Sequence, residues 1–160
     1  MRLLISACLL GCCCRYDGAS KTHPLAEALA QRHDLVPVCP EQLGGLSTPR
    51  PPAERQGERV MTKDGRDVTA AYRRGGEEAV RLCRLLGCEA AVLKERSPSC
   101  GSGEIYDGTF TGTVVEGWGV TAELLRREGI PVLGESRMGE LLTEGEACLV
   151  KITRDPAKKL

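Results

Sequence analysis

Three apolar runs set the rhythm of the chain: LLISAC at residues 3–8, LVPVC at 35–39 and AAVL at 90–93, the last continuing as KERSPSC to residue 100. Short continuous runs of this kind are typical of strands buried on both faces, and they predict strands at about residues 2–8, 35–39 and 89–94. Between them the period becomes helical. Pro24 stands as a first-turn residue with Leu25, Ala28 and Leu29 as an apolar stripe, which predicts a helix over 24–32. Ala79, Val80, Leu82, Cys83 and Leu86 keep helical spacing and Gly87 supplies a stop, predicting a second helix over 77–86. Thr121 is the expected cap of a third helix, TAELLRREG, which Gly129 ends; IPVLG then supplies a short strand, and ACLVKI at 147–152 reads as a late edge strand. Proline, glycine and charge punctuate residues 40–60, so PEQLGGLSTPRPPAERQGERV is expected to be a long loop over the site, and ERSPSCGSGEIYDGTFTG at 95–112 a turn. Strand and helix signals alternate throughout. The economical architecture is α/β, with βαβ units forming a mostly parallel sheet and helices on both faces.

Length adds that 160 residues make about one domain, read here as 1–150 with 151–160 as a C-terminal tail. Charge then removes some functions. Acidic and basic residues balance at 22 each, and one Trp, three Tyr and one Phe leave few stacking platforms, so nucleic-acid binding is not indicated. The apolar start, Met1 to Leu10, is too short to span a membrane, and CCCRYD is a poor cleavage site. The chain therefore reads as cytoplasmic, without a membrane partner. No oligomeric state follows from the sequence.

Nine cysteines change the picture more. A reducing compartment and an odd count argue against a disulfide framework and for ligands. Cys83, Cys88 and Cys148 fit core or structural positions, where a thiol behaves as a small hydrophobe. Cys8, Cys39 and Cys100 each close one of the strand-like runs, and parallel strands would bring them to one sheet edge. Three thiolates suit a metal or an iron–sulfur cluster with one coordination position left for chemistry. The alternative is three unrelated buried thiols. A zinc ribbon is disfavoured because paired CxxC knuckles are absent, and a local knot of Cys8 with Cys12, Cys13 and Cys14 is a poor chelate because adjacent cysteines point in different directions.

Context favours a reaction centre. Pro40 fixes the turn after Cys39 and places Glu41 close to the thiol, while Cys100 lies in the hydroxyl-rich SPSCGSG. Glu41 has a blander reading as an ion-pair partner of Arg50 or Arg55. Asp17 fits a turn, His33 a polar helix end, and GEIYDGTFTG lacks the spaced glycines and lysine of a phosphate-binding loop.

Six ordered segments carry a resemblance: SACLLG at 6–11, CRYDG at 14–18, VCPEQLGGL at 38–46, TPRPPAE at 48–54, DGRDVT at 64–69 and KERSPSCG at 94–101. Together they resemble the 2-thiouracil desulfidase (TudS-like) family, formerly an uncharacterised bacterial YbbK-like domain. The resemblance implies a Rossmann-like domain, with site loops at the strand carboxyl ends, that holds a [4Fe-4S] cluster on Cys8, Cys39 and Cys100. It further implies removal of sulfur from thiolated pyrimidines such as 2-thiouracil or 4-thiouracil, released as hydrogen sulfide, with the open iron taking the substrate sulfur. Glu41 falls on the family's acidic catalytic residue and Ser97 on its serine, Ser99 being equally near Cys100. Cys12 and Cys13 add thiols that this assignment does not use. Exchange of C=S for C=O is a hydrolysis and needs no net electron transfer. A non-catalytic cluster carrier or redox sensor would use the same cysteines without needing Glu41 and Ser97. Thiolated tRNA is disfavoured as substrate by the lack of a basic run, leaving a free base or nucleoside.

Overall fold

The computed structural model describes residues 1–154. In chain order its strands are β1 (Arg2–Ser6), β2 (Asp34–Val38), β3 (Ala53–Gln56), β4 (Arg59–Thr62), β5 (Ala90–Leu93), β6 (Ser102–Tyr106), β7 (Val114–Trp118) and β8 (Val132–Gly134). The helices are α1 (Ala26–Arg32), α2 (Pro40–Leu43), α3 (Thr69–Leu85), α4 (Val120–Arg127), α5 (Met138–Thr143) and α6 (Glu146–Arg154). β2, β1, β5 and β8 lie side by side in that order, all parallel, with Leu4 opposite Val36 and Ala91, and Val92 opposite Leu133. Pro37, which lacks a ladder donor, is confined to the edge strand β2.

Alternation along the strands feeds two cores. Leu3, Ile5, Ala90, Val92 and Leu133 face Leu29 of α1, Met138 and Leu141 of α5, and Cys148 and Ile152 of α6. Leu4, Ala91, Leu93 and Val132 face Ala79, Val80 and Cys83 of α3 and Ala122 and Leu125 of α4. Burial on both faces explains why these strands read as unbroken apolar runs, each fully buried large aliphatic side chain being worth about 1.5–3 kcal/mol. The Rossmann-like α/β expectation holds.

Several local expectations do not. The first strand stops at Ser6, and residues Ala7–Leu10 coil into a short 3-10 turn that carries Cys8. α1 begins at Ala26, so Pro24 lies ahead of its first turn. α3 starts at Thr69, well before residue 77, and two mid-helix glycines explain why sequence spacing hid its first half. A Cβ on Gly75 would lie 1.8 Å from the Pro40 carbonyl oxygen, and one on Gly76 would lie 2.8 Å from Leu124 Cδ1. The glycines let α2 and α4 sit directly on the α3 backbone. Asp67, one residue before the N-cap Val68, turns the chain into the helix, its Oδ1 accepting the Thr69 N–H at 2.9 Å.

Residues 40–60 hold α2 and the start of the antiparallel β3/β4 hairpin instead of a loop alone. Residues 102–118 form the β6/β7 hairpin where a turn was expected. Both hairpins are too polar to advertise a core face. Thr121 does not cap α4 but lies within it, its hydroxyl sharing a 2.8 Å hydrogen bond with that of Ser99. The ACLVKI segment is helical in α6, where Cys148 and Ile152, four apart, bury one face; so short an apolar run fits either period. α6 also runs across the boundary expected at residue 150, and the rest of that tail, 155–160, lies outside the described residues. No helix among the described residues is long and apolar enough to cross a membrane.

Candidate functional site

Parallel strands expose their carboxyl ends together, and here those of β1, β2 and β5 open into a cavity of about 560 Å³. Cys8 reaches it from the 3-10 turn after β1, Cys39 from the residue directly after β2, and Cys100 from the SPSC turn beyond β5. The three predicted thiols therefore share one cavity, although only Cys39 stands at a strand end. Cys14 lines it as well, buried like Cys8 and Cys100, whereas Cys12 and Cys13 are exposed. Cys83 and Cys148 fill the helical faces of the two cores, and the half-buried Cys88 packs against one of them.

Burial and mutual repulsion keep these thiols protonated in the metal-free chain. Burial pushes Cys8 up to about 11, with Lys94 opposing and Cys39 adding to the rise. Cys14 rises to about 12 through burial and then through Cys39 and Cys8. Burial also raises Cys100 to about 12; a hydrogen bond with Ser6 opposes this, while Glu41, Cys8 and Cys39 add to it. Thiolates crowded in this way need a nearby positive centre, which a thiophilic metal group supplies. Among the described residues no group of three Cys, His, Asp or Glu side chains is placed to hold a single metal ion. An iron–sulfur cluster attaches each thiolate to a different iron, so a soft all-sulfur donor set spread around a cavity fits a cluster better than a lone ion.

Glu41 lies in the first turn of α2, where Pro40 at the first helical position fixes its approach. Its carboxylate lines the cavity and is held from behind: Oε2 pairs with Arg50 Nη2, and Oε1 accepts the Tyr72 hydroxyl at 2.6 Å. Of the two candidate partners, Arg50 is therefore the real one; Arg55 binds Glu123 at 2.9 Å instead. Arg50 also donates to the Cys14 carbonyl at 2.8 Å, tying the acid to the cysteine loop. Burial, then the Glu41 carboxylate, drives the Tyr72 hydroxyl far above its ordinary value, so it acts as a donor. Anchoring and exposure to the cavity coexist at Glu41.

The two serines separate cleanly. Ser97 Oγ accepts the N–H groups of Ser99 at 3.1 Å and Cys100 at 3.0 Å, folding the turn, and neither bond uses its own O–H. Ser97 also lines the cavity. Ser99 is 1% exposed and spends its hydroxyl on Thr121. Sequence reasoning missed Cys14, Tyr72 and Lys94. Lys94 lines the cavity, pairs with Glu135 at 2.7 Å and opposes the upward shift of Cys8. Its place in KERSPSCG was a usable signal. Arg96 and Phe110, the two non-glycine residues with positive φ among those described, both line the same cavity, so backbone strain concentrates there.

Comparison with known proteins gives three matches. The family described as 2-thiouracil desulfurase matches residues 3–137. The uncharacterized protein YbbK of Bacillus subtilis (strain 168) is 40% identical over 150 residues, covering 88% of this chain and 99% of that protein. A solved structure of the [4Fe-4S]-dependent thiouracil desulfidase TudS is 51% identical with a TM-score of 0.84, covering 89% of this chain and 96% of that one.

Proposed function

This chain belongs to the 2-thiouracil desulfurase family, and from that membership we propose that it converts thiolated pyrimidines, 2-thiouracil or 4-thiouracil, to uracil with release of hydrogen sulfide. The carrying observation is the single cavity in which Cys8, Cys39 and Cys100 meet Glu41 and Ser97. The similarity to a [4Fe-4S]-dependent thiouracil desulfidase supports the cofactor, and Cys8, Cys39 and Cys100 would hold it. Bound there, the cluster supplies a thiophilic Lewis acid at the iron without a protein thiolate.

The residues divide the remaining work. Glu41 takes a proton from water and directs the resulting oxygen at the ring carbon, its carboxylate aimed by Arg50 and Tyr72. Ser97 donates its O–H to charge that builds on the ring. The same Glu41 returns that proton to the departing sulfur and then relays to it the second proton, from the new ring hydroxyl, as the carbonyl forms. One water enters, one hydrogen sulfide leaves, and no electrons are exchanged, so the reaction is hydrolytic. The free thiols suit a reducing cytoplasm, and the cavity volume of about 560 Å³ suits a base or nucleoside.

Anaerobic reconstitution, a count of iron and acid-labile sulfide, and an assay of sulfide release from 2-thiouracil and 4-thiouracil test the proposal. Uptake of a cluster with sulfide release from either base is the expected result. A chain that takes up no cluster, or a loaded chain that releases no sulfide from either base, refutes it. The latter outcome would favour a cluster carrier or sensor, which has no use for a carboxylate gripped by Arg50 and Tyr72 inside the same cavity.

A further inference from the structure

Four of the chain's five aromatic residues, Tyr16, Tyr72, Tyr106 and Phe110, line the cavity that holds the three thiols. So large a share of a scarce residue type points to a flat ligand. Tyr72 is committed to Glu41 through its hydroxyl, Tyr16 stands 43% exposed beside the Arg15 guanidinium, and Tyr106 continues the regular β6 ladder opposite Val114. Phe110 differs because its backbone is forced. Its φ of 59° lies in the left-handed region, which a bulky side chain rarely enters, although the same loop meets that demand with glycine at Gly108 (φ 93°) and Gly112 (φ 77°). Position 110 therefore holds a ring where glycine would carry less backbone strain. Two features keep it there. Glu54, reaching in from β3, accepts both the Gly108 N–H at 3.0 Å and the Phe110 N–H at 3.2 Å on one carboxylate oxygen. Exposed Thr109, Thr111 and Thr113 join their hydroxyls at 2.6 and 2.9 Å, leaving the alternate residue Phe110 to the cavity side of the loop.

Resting on the desulfidation reading above, we propose that Phe110 is the residue on which the pyrimidine ring stacks, and that Glu54 positions it. The roles given to the three thiols, Glu41 and Ser97 cover the sulfur, the water and the charge on the ring, and leave the π-face of the base without a partner. Contacts to sulfur alone accept any thiocarbonyl or small thiol; a contact along the ring plane is what selects a planar base. Phe110 offers no polar atom, so the stack is the same for 2-thiouracil, 4-thiouracil and uracil. Holding the loop in place before the base arrives removes an ordering cost from binding. Glu54 thus acts on affinity through Phe110 and not on the bond that breaks.

The test compares full-length wild type with Phe110→Ala, Phe110→Leu, Phe110→Tyr, Phe110→Asn, Glu54→Ala and Glu54→Gln, all loaded anaerobically. It reads kcat and KM for 4-thiouracil, the inhibition constant of uracil, and thermal melts. Phe110→Ala and Phe110→Leu should raise KM and the uracil inhibition constant together by about 10–100-fold, the loss of one base–aromatic stack, with a far smaller change in kcat. Phe110→Tyr, which keeps the ring, should recover most of that loss. Asparagine suits a left-handed backbone, so Phe110→Asn should melt no lower than wild type while binding as weakly as Phe110→Ala. Glu54→Ala should reproduce the KM defect with the ring intact, and Glu54→Gln, which keeps an acceptor oxygen for the two N–H groups, should recover it. Wild-type affinity in Phe110→Ala or Phe110→Leu overturns the stack and leaves the desulfidation reading standing. Affinity that falls only in step with thermal stability makes Phe110 a structural residue of the hairpin and overturns it equally. A KM defect in Phe110→Ala that Glu54→Ala does not share overturns the positioning role. Loaded wild type that releases no sulfide from 2-thiouracil or 4-thiouracil overturns the desulfidation reading and this inference with it.

Discussion

Replacing Glu41 by Gln exchanges one carboxylate oxygen for an amide nitrogen and leaves volume and reach almost unchanged. The amide carbonyl still accepts the Tyr72 hydroxyl, now 2.6 Å from Oε1. What disappears is proton acceptance from water and the charge opposite Arg50. Loss of a positioned general base costs about 10²–10⁴ in rate, equivalent to about 3–5.5 kcal/mol of transition-state stabilisation. The structural cost is separate. Breaking a buried ion pair costs about 3–5 kcal/mol when the survivor is left without compensation. Arg50 keeps its bonds to the Cys14 and Ser47 carbonyls and to Thr48 Oγ1, and the Glu41 side chain is 15% exposed, so the loss here should fall below that range. A domain with about 5–15 kcal/mol of stability survives it. The expected outcome is therefore a folded chain with a lower melting temperature, wild-type iron and sulfide content after anaerobic loading, and sulfide release down by at least about two decades. Full sulfide release with the cluster intact would reduce Glu41 to the ion-pair partner of Arg50. Loss of activity in proportion to loss of cluster would assign it a supporting role in the thiol site instead.

Other consequences of the geometry can be checked independently. Ser97→Ala removes the acceptor of two backbone N–H groups and a cavity donor, and should lower kcat by about 10–100-fold while destabilising the chain by about 1–3 kcal/mol; Ser99→Ala should lower stability by a similar amount but leave kcat near wild type, and the opposite pattern would exchange their roles. Gly75→Ala forces a Cβ against the Pro40 carbonyl and should cost about 1–3 kcal/mol in denaturant melts together with activity; an unchanged melt would show that α2 can move away freely. Thiol alkylation of the metal-free chain should label Cys12 and Cys13 before Cys8, Cys14 and Cys100 in mass-spectrometric time courses, and prior labelling of Cys14 would contradict its inward placement. Because Cys8, Cys14 and Cys100 are raised from 9.0 to about 11–12, their neutral forms stabilise the metal-free fold below pH 9, and that contribution is lost as pH rises through 9 to 12. Thermal melts of the metal-free chain should fall across that window, and a flat profile there would refute the linkage.

The sheet was legible because its strands are buried on both faces, leaving unbroken apolar runs at Leu3–Ile5 and Ala90–Leu93. The site was legible where chemistry and motif coincide, at Cys39 with Glu41 and at Ser97 with Cys100. Tertiary geometry hid the rest. Nothing local distinguishes Cys14 from Cys12 and Cys13; hydrogen bonds to Arg50 and back to Ala7 and Cys8 select which member of the triplet turns inward. Polar hairpins at 53–62 and 102–118 carry too little apolar alternation to be seen, and the Cys148 run fits a helix as readily as a strand.

The segment that most obscured the sequence also does most to build the site. RRGG at residues 73–76 interrupts the apolar helical pattern, and Gly is a poor helix former, so the pattern alone places the start of α3 after it. In the fold, Gly75 presents bare backbone to the Pro40 carbonyl, and Gly44 of the α2 terminus comes just as close to Ala71, where a Cβ would lie 2.0 Å from the carbonyl oxygen. Tyr72 lies three residues before Gly75, on the same helical face, and the close approach brings its hydroxyl to Glu41. Any larger side chain at Gly75 would push α2 outward and carry Cys39 and Glu41 with it, since Cys39 occupies the N-cap and Glu41 the first turn. The poor helix propensity of Gly75 is thus offset by a contact that sets one thiol and one carboxylate in the same cavity. Activity lost in Gly75→Ala should accordingly return in part when Tyr72 and Arg50 are left intact and a second change relieves crowding at the α2–α3 contact.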